Sequence, residues 1–135
     1  MFIIITLLKN KMKTDFKEVA LQFLKLVVAG KIDEAYEKYV DMKGKHHNVS
    51  FPSGFLALKE AMKENHEKFP NKKFTVKNVL CENDLVAVHS HVVLKPKETE
   101  IIAVHIFRIK NDRIVEMWDS GQLIPPSSPN KDGAF

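Results

Sequence analysis

One cysteine, Cys81, is all the chain has, so no internal disulfide can staple it, and nothing pairs with it as a C-x-x-C redox or metal motif. A single thiol fits a reducing, cytoplasmic compartment. Five glycines and six prolines in 135 residues are too few for collagen-like or low-complexity sequence. No charge of one sign dominates: 21 Lys plus Arg against 17 Asp plus Glu leave +4. No run of basic residues alternates with aromatics, which argues against a nucleic-acid partner. No apolar stretch reaches the roughly 20 residues that cross a bilayer. The short run Phe2 to Leu8 is followed, not preceded, by Lys9, Lys11 and Lys13 and lacks a small-residue cleavage site, so neither membrane anchor nor secretory signal is expected. Residues 1–13 are expected to be an N-terminal extension or arm, since Met12 stands just before the first helix signature. Residues 14–135 then form one domain, of ordinary globular composition at 44% hydrophobic and 28% charged.

From Asp15 onward Phe16, Val19, Ala20, Phe23, Leu24 and Val27 recur at helical spacing, with Gly30 as the stop. A second helix carries Asp33 in its first turn and Ala35, Tyr36, Tyr39 and Val40 inward. A third starts near Ser53, turns Phe55, Leu58, Met62 and Phe69 inward, and ends at Pro70. After Pro70 the period becomes two. Four antiparallel strands are predicted over residues 72–123, with turns at Glu82-Asn83-Asp84, Pro96-Lys97-Glu98 and Asn111-Asp112. A short extra strand is expected near Lys45 to Val49. Helices first and strands afterwards make an α+β fold. Pro125, Pro126 and Pro129 make residues 124–135 an extended tail.

Histidine placement carries the chemistry. Alternation puts Leu85, Ala87, His89, His91 and Val93 on one face of their strand, and His105 with Ala103, Phe107 and Ile109 on one face of the next. Neighbouring strands can therefore bring three imidazoles onto one apolar face, with His46-His47-Asn48 in a loop at its mouth, as in a small-molecule pocket. A lone strand histidine is ordinarily a hydrogen-bonded structural residue, whereas three on one face suggest more. His-x-His with a third histidine and Asp119 could also offer metal ligands, but the spacing is weak and no metal is expected.

Asp119 is the best carboxylate. A two-residue Asn111-Asp112 turn would send it to the face opposite His105, and a three-residue loop would bring it beside His105, because one residue of register reverses every side chain. Both remain open. On the other face, Val86, Val88, Val92 and Leu94 with Val104 and Ile106 form an expected apolar outer surface, to be covered in a homodimer.

The run Ala103 to Asp119, AVHIFRIKNDRIVEMWD, resembles the V-D-I-F-R, turn, I-V-E-x-W-D signature of SnoaL-like proteins in the nuclear-transport-factor-like superfamily. His47-Asn48 is similar to that family's H-N-P stretch, and Gln122, Pro125, Ser128, Asn130 and Phe135 to its closing segment. The resemblance implies a cone-shaped barrel, with three helices packed on a curved, mostly antiparallel sheet of four to six strands, usually dimeric. It also implies proton transfer next to a carbonyl without a cofactor, as in polyketide cyclases that close rings by aldol condensation. Asp119 carries over as the acid/base. The expected catalytic set is Asp119, His91 and His105, with His47, Asn48, His89, Phe107 and Trp118 binding an apolar or carbonyl-containing ligand. Two departures stand out: His105 replaces the aspartate of V-D-I-F-R, and Asn48 stands where ketosteroid isomerases keep their base. An apolar wall is expected to bring the Asp119 carboxyl toward neutrality. The alternative is a binding module that holds an apolar ligand without catalysis.

Overall fold

The computed structural model describes residues 15–135; the arm expected over residues 1–13 lies outside them. Helix α1 (Phe16–Val28) opens with the Asp15 carboxylate accepting from the Lys17 amide at 2.9 Å and buries Val19, Ala20, Phe23, Leu24 and Val27. The chain leaves it through Gly30 at φ +81°, a conformation only glycine adopts freely. Helix α2 (Ile32–Tyr39) buries Ile32, Ala35 and Tyr36, and α3 (Phe55–Lys68) buries Phe55 and Leu58.

Val40, expected on the second helix, instead begins strand β1 (Val40–His46) and is buried there. The extra strand thus lies earlier than Lys45–Val49. It runs parallel to β5 and makes the sheet five-stranded and mixed. The remaining strands, β2 (Lys73–Glu82), β3 (Leu85–Lys95), β4 (Thr99–Lys110) and β5 (Arg113–Leu123), form the antiparallel meander, in the order β1-β5-β4-β3-β2. The sheet is open, with β1 and β2 as its edges.

Each antiparallel pair contains a bulge: Lys77 between β2 and β3, Leu94 between β3 and β4, Val115 between β4 and β5. Bulges bend strands and increase their twist, which curves the sheet around the helices. On the concave side Phe23 meets Tyr36 and Phe107 edge-on at centroid distances of 5.4 and 5.8 Å, and Tyr36 meets Phe55 at 6.2 Å. Gly44 lets β1 approach the bulge, since a Cβ there would collide with the Val115 carbonyl oxygen and the Phe55 ring.

The bulges decide which face each residue takes. At the β3–β4 turn Lys95 pairs with Thr99, and that register, continued, would set His89 against His105. Leu94 shifts it by one residue, so Val88 faces His105 and His89 faces Val104. The expected common face of His89, His91 and His105 is therefore not formed. Val86, Val88 and Val92, expected outside, are buried on the concave face, while Val104 and Ile106 do lie on the outer face.

Candidate functional site

A cavity of about 650 Å³ opens on the concave side, bounded by α1, α3, the loop after β1, and strands β2 to β5. Its chemistry centres on a cross-strand pair. The β4–β5 hairpin has a two-residue turn, Asn111-Asp112, with φ of 51° and 63°. That turn alone would send Asp119 to the opposite face. The Val115 bulge reverses the parity, so His105 stands directly opposite Asp119 and both line the cavity. Asp119 thus reaches the cavity by a route that neither loop length had anticipated.

The half-buried His105 ring lies between Phe74 (6.1 Å) and a parallel Phe107 ring (5.9 Å), and its buried Nδ1 has no hydrogen-bond partner among the described residues. Burial holds the imidazole below its usual pKa range, and the Asp119 charge only partly offsets this. His105 is therefore held toward its neutral form, with one ring nitrogen as donor and the other as acceptor. Asp119 is exposed at the rim and accepts from Asn48 Nδ2 at 2.9 Å. Asn48 is fixed in turn: its side-chain oxygen accepts from the Ser50 amide at 3.0 Å, and its own amide donates to His46 Nδ1 at 3.1 Å. Because His46 Nδ1 accepts, Nε2 carries the proton and donates to the Pro52 carbonyl at 2.8 Å. His46 thus orders the loop that aims Asn48. Beneath the site Tyr36 donates to Met62 Sδ at 3.3 Å, and burial, then the Asp119 charge, push its phenol pKa up.

The other expected site residues take different positions. His89 and His91 project from the outer face, where His89 Nδ1 accepts from Asn78 Nδ2 at 3.0 Å and His91 Nε2 donates to Glu100 at 2.8 Å. The Phe135 ring packs on both, at 5.4 and 4.9 Å. His47 borders the cavity mouth, but its ring stacks on Trp118 (5.1 Å, 11°) and donates to Glu116 at 2.7 Å. Trp118 lies on that outer face under the Arg108 guanidinium, which bonds Glu116 and Asp84 at 3.1 and 2.9 Å. His47, then Arg108, holds the Glu116 carboxyl below the usual range. Phe107 is fully buried behind His105 and supports it without forming the cavity wall. Among the described residues no three His, Cys, Asp or Glu side chains converge to hold a metal ion.

Among the lining residues that the sequence reading missed are Asn65 near the end of α3 and Lys72 just before β2, whose Nζ donates to Asn65 Oδ1 at 2.8 Å. Both look like surface residues in sequence, and only the curl of the sheet toward α3 brings them to the cavity.

The model of the SnoaL-like polyketide cyclase family matches residues 17–126. The chain belongs to that family. No curated protein sequence matches it at a significant level. Among solved structures it is similar to IdmH, provisionally assigned as a polyketide cyclase from Streptomyces antibioticus, with TM-score 0.67 and 16% identity over 80% of this chain and 92% of that one. A provisionally assigned polyketide cyclase from Acidithiobacillus ferrooxidans gives TM-score 0.66 and 20% identity over 82% and 89%. An NTF2-like protein of unknown function from Cytophaga hutchinsonii gives 0.66 and 11% over 83% and 94%. At these identities the likeness shows the fold. The described residues of this SnoaL-like domain form an α+β architecture of three helices on a curved mixed sheet, and no helix among them is long and apolar enough to cross a membrane. His105, which stands at the aspartate of the V-D-I-F-R pattern that the sequence resembles, lines the cavity.

Proposed function

We propose that this SnoaL-like protein holds an apolar carbonyl compound in the concave cavity and moves a proton at the carbon beside the carbonyl, with Asp119 as acid/base and His105 as hydrogen-bond donor to the oxygen. The observation that carries the reading is the cross-strand pairing of Asp119 with His105 on the cavity wall, where burial holds the imidazole toward its neutral form. The Asp119 carboxylate takes the α-proton and becomes a carboxylic acid. The electron pair of that C–H bond moves into an enolate, whose oxygen receives a hydrogen bond from the His105 N–H. The enolate then either takes a proton back from the Asp119 carboxylic acid at carbon, or its α-carbon attacks a second carbonyl, whose alkoxide takes the proton from Asp119. His91 has no part in this step, because it faces away.

The exchange of α-protons of β-tetralone in deuterated water, followed by NMR, tests the reading. Asp119→Asn is expected to slow exchange by about 10²–10⁴-fold, the usual contribution of a positioned acid/base. Equal exchange by both proteins, or none by either, would remove the acid/base role.

One observation favours the second reading, a binding module. Asp119 is exposed at the rim, without the apolar wall expected around it. In that reading wild type binds β-tetralone and exchanges nothing.

The proposal extends to a homodimer across the outer sheet face. Half-buried Val93, Ile102, Val104, Ile106 and Trp118 give that face apolar area beyond what Phe135 touches. Light scattering should return twice the 15.5 kDa chain mass.

A further inference from the structure

Lys72 is a partly buried cation on the cavity wall that has no counter-ion among the described residues. Among the described residues no carboxylate lies within ion-pair distance of its ammonium, and its hydrogen bond goes to the neutral Asn65 Oδ1 at 2.8 Å. Lysines that reach carboxylates do so on the surface: Lys59 and Lys63 meet Asp33 at 3.0 and 2.8 Å, Lys38 meets Glu34 at 2.7 Å, and Lys45 and Lys95 lie near Glu116 and Glu98 at 3.8 and 3.9 Å. A partly buried charge usually has a partner, because removing it from water is otherwise uncompensated. Here burial alone holds the ammonium below the usual lysine range. The cavity wall between Lys72 and the His105–Asp119 pair is mainly hydrocarbon, from Val27, Val28, Leu58, Met62, Phe74 and Val92.

The two polar ends stand apart. Lys72 precedes β2, Asp119 lies on β5, and β3 and β4 separate them. Lys73 pairs with Val93, five residues along β3 from the Val88 that faces His105, so three strand spacings across and five residues along make roughly 20 Å between the backbones, which the curl of the sheet and the reach of the lysine side chain shorten to the length of an elongated ligand. A single ammonium beside an amide matches a singly charged carboxylate. A dianionic phosphate would call for further cations, and none besides Lys72 lines the cavity among the described residues apart from the rim residue His47, already bound to Glu116.

From these positions we infer that the ligand is an elongated, mainly apolar carboxylic acid, its carboxylate held by Lys72 beside Asn65 and its carbonyl end presented to His105 and Asp119. This names the substrate class for the cavity already proposed as the site and rests on that reading. The acid also supplies the counter-charge that Lys72 lacks, so its binding should raise the ammonium pKa.

The probes are β-tetralone carrying a carboxylate on its aromatic ring, the matching primary amide, and unsubstituted β-tetralone, with binding measured by calorimetry. Wild type should bind the acid at least about tenfold more tightly than the amide, the factor that 1.4 kcal/mol represents and within the range of one charge-assisted hydrogen bond. Lys72→Gln should erase that preference by weakening the acid far more than the amide, and Lys72→Arg should keep most of it. Equal binding of acid and amide by wild type, an acid preference that survives in Lys72→Gln, or no binding of the acid at millimolar concentration would each overturn the inference. The unsubstituted ketone separates the two claims. If it exchanges protons while acid and amide bind alike, the carboxylate anchor fails and the acid/base reading stands. If the acid preference depends on Lys72 but no ketone exchanges, the anchor stands and the acid/base reading fails.

Discussion

On the outer face of the sheet His89, His91 and His47 each have a polar partner, Asn78, Glu100 and Glu116 respectively. On the concave face His105, one strand away from His89, has an unpartnered nitrogen, two aromatic neighbours and a carboxylate across the strand. The residue type is the same and the physics differs. A satisfied imidazole at the surface contributes a modest hydrogen bond, whereas a buried, unsatisfied ring nitrogen costs stability. The same contrast separates the paired surface lysines from Lys72.

Removing each imidazole in turn gives the largest expected difference between the faces. His105→Leu should slow α-proton exchange of β-tetralone by about a hundredfold, the scale of losing one oxyanion donor. It should leave thermal stability unchanged or higher, because an unpartnered buried nitrogen goes with it. His91→Leu should leave exchange unaltered. Equal losses from both would erase the distinction.

Gly44→Ala attacks the geometry that creates the contrast. The new methyl meets the Val115 carbonyl, which is backbone and cannot rotate away. We expect about 1–3 kcal/mol of destabilisation in urea unfolding, typical of overpacking. Exchange should also fall, because moving the Val115 bulge disturbs the register that sets Asp119 opposite His105. An unchanged exchange rate in a destabilised protein would detach the bulge from the site.

A smaller effect follows from pH. The folded chain holds His105 below its ordinary 6.5, so the unfolded chain takes up the proton first as pH falls. Stability should therefore decline as pH drops below about 6.5, and His105→Gln should remove that component, read as the difference between the two unfolding midpoints across the acid limb. A wild-type midpoint that rises over this range relative to the variant would mean that His105 is stabilised charged.

The smallest change is expected from His91→Gln. The hydrogen bond with Glu100 is partly solvated, and such surface contacts contribute about 0–1 kcal/mol. A loss well beyond that would show the outer face to be more than a solvated surface.

Much of this was legible in the chain. Helical spacing located α1 to α3, period-two alternation located β2 to β5, and the AVHIFRIKNDRIVEMWD run pointed to the family. The faces were not legible, and the reason is parity. Leu94 and Val115 are ordinary apolar residues in strands, and nothing in their chemistry announces that each adds one residue to its strand. The first removed His89 and His91 from the cavity, and the second kept Asp119 in it despite a two-residue turn. β1 was misplaced for a related reason. Val40 is apolar and continues the stripe of α2, yet its partner is Ile114 on β5, a contact no local pattern records. Lys72 was hidden because an unpaired lysine looks like any other until the carboxylates around it are mapped.

The most direct test is a side-chain NMR titration of the imidazoles, with and without bound β-tetralone. His105 should titrate below 6.5, and its ring signals should move when the ketone binds, while those of His89 and His91 stay in place. Ligand-induced shifts at His89 and His91 with His105 unmoved would put the binding site on the outer face and contradict the account.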